Sequence, residues 1–202
     1  PYMRVESATT TMPQPAYNEL LLQRDGNRYR WELLANSNLT LQHLDTNEVL
    51  KTVRLGIECG RLPEDTGTDI PAILGKFGLL KDGVLNNAAA VLFGKHEDME
   101  YPQCLLRLAR FKGTDKTVFM DSQRIQGNFF QLLNAAMAFI FKHLSLSGTT
   151  DTLEREEHLT IPYKAIREGV LNSLTHRSYK EAGGSVGIAI YDDRVEIENP
   201  GT

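Results

Sequence analysis

Hydrophobic positions recur along the chain with two different periods, and each change of period marks a new element. Asp45 with Glu48 makes a capping box ahead of Val49, Leu50, Val53, Leu55 and Ile57, which predicts a helix running to about Cys59. GRLPEDTGTD then breaks it, and Asp69 followed by Pro71 starts a second, short helix. In LLKDGVL, Leu79 to Leu85, the Asp82-Gly83 pair supplies a two-residue hairpin turn. Residues 87 to 93, NAAAVLF, form a short apolar segment.

Further on the period falls to two. From Gln103, the residues Cys104, Leu106, Leu108 and Arg110 alternate with Leu105, Arg107, Ala109 and Phe111 as a strand, with TVFMDSQRI as its antiparallel neighbour. Phe129, Leu132, Leu133, Ala136, Ile140, His143 and Leu144 then return to helical spacing between Asn128 and Leu146, with His143 read as a packed or boundary residue. EEHLTIP reads as a short strand leading to Pro162 in the first turn of a helix that carries EGVLNSLTHR. After Gly183-Gly184, SVGIAIYDDRVEIENPG gives two alternating strands turning at Asp192-Asp193. At the other end Tyr2–Val5 reads as one strand, followed by a Ser/Thr-rich exit that ends at Pro13 and Pro15. The expected class is α+β: a helical and hairpin middle with a small sheet, then helices packed on antiparallel strands.

Composition narrows the function classes. A chain of 202 residues, 41% hydrophobic and 24% charged, is long enough for one large or two small domains. A formal net charge of −4 gives no global electrostatic footprint for nucleic acid. Cys59 and Cys104 fit neither a disulfide framework nor a zinc pattern, so both read as small core residues in a reducing compartment. The five histidines show no HExxH and no grouping with cysteine, so no metal site from protein ligands alone is expected. No apolar run reaches the roughly 18 to 20 residues that span a bilayer, and no signal pattern precedes the first strand, which predicts a cytoplasmic protein without a membrane partner. The start at Pro1 and the stop directly after a strand pattern suggest a piece of a longer protein.

Chemistry concentrates in EGVLNSLTHR. On a helix, Glu168, Asn172 and His176 fall at i, i+4 and i+8 along one face, with Ile166, Val170 and Leu174 opposite. A carboxylate can orient water, an amide oxygen can ligate Mg²⁺, and a neighbouring His or Arg can hold phosphate. The same spacing also suits the wet side of any amphipathic helix, and Glu32 with Asn36 repeats it in a segment with no other site-like feature. The helix and hairpin of Asp69 to Leu85 form part of a winged-helix pattern, a second route to DNA, although no Lys/Arg-rich helix precedes the hairpin.

EGVLNSLTHRSYK together with GIAIYDDRVEIENPG resembles the carboxy-terminal domain of the RecG-related ATP-dependent DNA helicases and transcriptional regulators. LKDGVLNNAAAVLFGK, RLARFKGTD and GNFFQLLNAAMAFI follow that family's order, so the resemblance extends over roughly residues 40 to 202. PYMRVESATT looks like the tail of the Schlafen-type AlbA domain that precedes it in such proteins. The resemblance implies a division into an AlbA-like tail (1–17), a linker (18–44), a helix, hairpin and small-sheet region (45–148) and a truncated GHKL-like, or Bergerat, segment (149–202).

That last segment is similar to the ATPase fold of gyrase B and the histidine kinases, whose N-box helix carries a Glu and an Asn four residues apart. By this resemblance Glu168 positions the attacking water, Asn172 holds Mg²⁺ and through it the phosphates of ATP, and His176 with Arg177 lines the phosphate side. Asn199 and Gly201 stand where the fold's adenine-binding Asp segment belongs. ENPGT has no Asp there, and Pro200 removes a backbone donor, so ATP and Mg²⁺ are implied in a site that this chain carries in part. The resemblance therefore implies a Mg-dependent ATPase for the full-length protein, while the absence of GxxxxGK[ST] argues against a helicase motor. DNA through the AlbA domain, a nucleotide, and a second copy of the chain are the implied partners. The alternative is a degenerate, non-catalytic domain used for dimerisation or partner contact.

Overall fold

The computed structural model describes residues 2–5, 8–15, 17–18, 30–95, 101–144, 146–149, 156–159 and 161–200. The capping residues act as read, except that the Asp45–Glu48 box does not close, because the Asp45 N–H donates to the Phe93 carbonyl and the Glu48 carboxylate takes Lys51. Asp45 accepts from the backbone N–H of Asn47 and Glu48 at 3.0 and 3.2 Å and opens helix α1, Thr46–Glu58, whose Val49 and Val53 are buried. Asp69 caps α2, Ile70–Lys76, through the Ala72 N–H at 3.0 Å. Strands β3 (Leu80–Lys81) and β4 (Val84–Leu85) pair across Asp82 and Gly83, both at positive φ (51° and 78°), the conformation that a tight hairpin requires. NAAAVLF is helix α3, Asn87–Phe93, because Asn86 accepts from the Ala89 N–H; its own amide donates to the Gly78 carbonyl at 2.9 Å. These elements bury Leu44, Ile73, Leu74, Leu85 and Phe93 in one core.

A four-stranded sheet ordered β10-β9-β5-β6 forms the second layer, from β5 (Leu105–Phe111), β6 (Phe119–Gln126), β9 (Val186–Ile190) and β10 (Val195–Glu198). The fold is α+β as expected. Of the three pairings one, β5 with β9, is parallel. A parallel neighbour needs a crossover, and helices α4 (Phe129–His143) and α5 (Tyr163–Thr175) lie within it and cover one face. Alternation places Leu106, Leu108, Val186, Ile188 and Ile190 against Leu132, Leu133, Ala136 and Ile140 of α4 and Ile166, Val170 and Leu174 of α5. Since β5 and β6 precede residue 148 and β9 and β10 follow it, the expected segments 45–148 and 149–202 share one sheet.

The two cores meet at the start of α4. Asn128, 1% exposed, accepts from the Gln131 N–H at 3.0 Å and donates to the Gly94 carbonyl at 2.9 Å, while Phe130 stacks on Phe93 with ring centroids 5.7 Å apart. Two readings change. The Ser/Thr-rich stretch after β1 (Tyr2–Val5) is itself a strand, β2 (Ala8–Thr11), because consecutive threonines favour extended backbone, and the pair forms an antiparallel hairpin. Cys59 is exposed, since it closes α1 off the Val49–Val53 stripe; Cys104 is buried, and burial pushes its thiol up to about 12. A further pair, β7 (Leu146–Thr149) with β8 (Glu156–Leu159), is antiparallel.

His143 is a boundary residue. Its Nε2 lies 2.8 Å from Asp121 on β6, which also receives Lys142 Nζ at 2.8 Å. Lys142 first, then His143, holds the Asp121 carboxyl below its ordinary value. A lowered native pKa means that this contribution is complete above the unfolded value and is lost as pH falls through the native one. Melting temperature should therefore fall with acid below about pH 4, with a shallower slope in Asp121→Asn. Parallel slopes for the two proteins would remove this ion cluster from the acid response.

Candidate functional site

Helix α5 begins after Pro162 and keeps a sharp division of faces. Ile166, Val170 and Leu174 are at most 5% exposed, and Gly169 brings the helix close to β10: a Cβ there would lie 3.2 Å from Ile197 Cδ1. The opposite face is open. Glu168 and Asn172 are both exposed and directly adjacent, with Asn172 Nδ2 donating to Glu168 Oε1 at 3.2 Å. That orientation spends the amide N–H inside the pair and leaves Asn172 Oδ1, a hard oxygen donor, without a hydrogen bond among the described residues. His176 caps the end of the same helix and is exposed.

Arg177 goes elsewhere. It is 4% exposed, its Nη2 donates to the Gly184 carbonyl at 2.9 Å, and its guanidinium carbon lies 4.9 Å from the Tyr179 ring centroid. Nε and Nη1 are buried without acceptors among the described residues, a cost on the order of 1–3 kcal/mol for each unmatched donor. Burial lowers the pKa of Arg177. Asn199 is exposed, whereas Pro200 is fastened to the loop after α5: Ser178 N–H donates to its carbonyl at 2.9 Å, and a Cβ on Gly184 would meet its Cγ at 2.8 Å. Gly201 lies outside the described residues. Of the six residues singled out, Glu168 and Asn172 are in contact, His176 follows them on the helix, and Arg177 turns inward.

The second Glu-x-x-x-Asn copy is structural. Glu32 sits in the 3₁₀ turn Trp31–Leu33 and pairs with Arg30 at 2.7 Å, while Asn36 donates to Asn87 Oδ1 and Tyr101 Oη at 3.1 and 2.6 Å. The winged-helix reading has little cationic surface on its helix, where Lys76 is the basic residue. Sequence reasoning missed the surroundings of Arg177: Tyr179, Cys104 and Gly184 converge on it, and no spacing rule links position 104 to 177. Among the described residues no three His, Cys, Asp or Glu side chains gather so as to hold a metal ion, and no helix is long and apolar enough to cross a membrane.

No family model matches the chain, and no curated protein matches it. Its fold is similar to that in the crystal structure of the DIP2311 protein from Corynebacterium diphtheriae, with a TM-score of 0.65 over 99% of this chain. Sequence identity is 14%, so the likeness is one of fold, and the match spans 38% of that longer chain.

Proposed function

We propose that this chain belongs to a cytoplasmic, DNA-associated transcriptional regulator related to the RecG-type ATP-dependent DNA helicases, with a GHKL-like segment that binds Mg-ATP. The observation that carries the reading is the exposed Glu168–Asn172 pair, aligned on a helix whose other face is wholly committed to the core. The donor set suits the phosphate end of a nucleotide: Asn172 Oδ1, unbonded among the described residues, is an oxygen ligand for Mg²⁺, and Glu168 keeps Oε2 for water. The adenine end fits less well, because Asn199 replaces a carboxylate and Pro200 lacks an N–H. Bound Mg-ATP would supply a charged effector, and the chain's own residues would position it. DNA contact would come from an AlbA domain outside this chain.

Titration of the full-length protein with ATP by calorimetry, with and without Mg²⁺, tests this. Saturable binding that needs Mg²⁺ is expected, with a loss of at least about tenfold in Asn172→Ala and retention in Glu168→Ala. Absence of ATP affinity overturns it. A second reading, self-association or partner contact, is favoured by the face of the sheet opposite the helices, where Phe119 and Met120 are each 62% exposed. No heat with ATP, together with a concentration-dependent dimer, would select that reading.

A further inference from the structure

A cleft of about 290 Å³ lies where the helical half meets the sheet half. Val91 and Leu92 of α3, Phe129 of α4 and Leu174 of α5 give it apolar walls, and Arg177 and Tyr179 also line it. Arg30 and Glu32 contribute from the 3₁₀ turn and its entry; their side chains are 54% and 32% exposed, and they are already paired with each other.

Arg177 is the anomaly in this lining. A guanidinium that is 96% buried normally meets a carboxylate or a full set of carbonyls. Here one nitrogen has a carbonyl, the Tyr179 ring lies 4.9 Å from the guanidinium carbon, and Nε and Nη1 have no acceptor among the described residues. The carboxylate nearest in function, Glu32 in the same lining, is held by Arg30 at 2.7 Å. Among the described residues this buried positive charge therefore has no counter-ion beside an apolar cleft, an arrangement that a ligand of opposite charge would complete.

We infer that this cleft binds a monocyclic aromatic carboxylate, its anionic group taken by Arg177 and its ring by Phe129, Leu92 and Tyr179. One unpaired buried cation calls for a monoanion rather than a phosphate dianion. A volume at the lower edge of small-molecule sites, about 300 Å³, suits a single ring. Phe129 and Tyr179 favour an aromatic body through offset or edge contacts. The site is separate from the Glu168–Asn172 pair, and occupancy would bridge α3 to α4 and α5, so the ligand would act on the seam between the two cores.

Trp31, the single tryptophan of the chain, reports on the cleft, because it stacks on Tyr179 at 6.4 Å between ring centroids. The experiment titrates the full chain with sodium benzoate, with the neutral isostere benzamide, and with inorganic phosphate at matched ionic strength, following Trp31 fluorescence. A saturable change with benzoate is expected, at least about tenfold weaker with benzamide and absent with phosphate. Arg177→Gln should abolish the preference for benzoate over benzamide. Should Arg177→Gln fail to fold, Glu32→Gln serves as the second variant, since removing a negative charge from the cleft lining should tighten benzoate several-fold. No saturable change with benzoate, equal affinity for benzamide, binding of phosphate as strong as benzoate, a folded Arg177→Gln with unaltered affinity, or unchanged or weakened benzoate binding in Glu32→Gln would each overturn the proposal. None of these outcomes bears on ATP, which is read by Mg²⁺ and Asn172.

Discussion

Phe93→Ala is expected to lower the unfolding free energy by about 3–5 kcal/mol, read from urea denaturation. The ring is 1% exposed at the end of α3 and belongs to the core of the helical half, yet its outer partner is Phe130 of α4, 5.7 Å away. Its backbone is tied as well: the Phe93 carbonyl accepts from Asp45 N–H at 2.7 Å, so the cap of α1 rests on this residue. Truncation would leave a cavity between two elements that cannot close up, because Asn128 holds Gly94 at a fixed distance beside it. Trp31 fluorescence and far-UV circular dichroism should move together, since the lost contact joins the two cores. A loss below about 1 kcal/mol would mean that the halves do not depend on this ring.

The parts of this fold that were legible in the sequence are those set by neighbours along the chain. Asp45, Asp69 and Asn128 announce helices because a short polar side chain placed before an apolar stripe satisfies the free N–H groups of the first turn. The strands β5, β9 and β10 were legible because one face is core and the other solvent. What pairs with what is a different matter: the parallel register Leu106↔Val186 joins residues 80 positions apart, and alternation alone does not name a partner. The site divides in the same way. Glu168 and Asn172 obey the helical period, and the structure brings them together as that period requires. Arg177, set on the phosphate side by resemblance alone, falls by the same period on the stripe of Val170 and Leu174, and the structure buries it on that side, past the helix end at Thr175. Its partners come from the loop at Gly184 and from Tyr179, positions fixed by tertiary packing.

Within α5, Val170→Asp is expected to cost more than about 4 kcal/mol, enough to unfold the sheet half, whereas Glu168→Ala and Asn172→Ala should each change stability by no more than about 0.5 kcal/mol. Val170 is fully buried between α4 and the sheet, and an aspartate there would be a carboxylate with no cation or donor to meet it. Its neighbours two positions away on either side face water, and the hydrogen bond they share is an exposed i, i+4 contact worth a few tenths of a kcal/mol, roughly 0.2–0.5. The contrast matters because a polar pair that contributes so little to folding is free to be used for binding, and the mutants remain folded for the nucleotide titration. Chemical denaturation of the three variants decides it. A large loss in Glu168→Ala or Asn172→Ala would make the pair a structural feature of the helix, and would take away the observation on which the Mg-ATP reading stands.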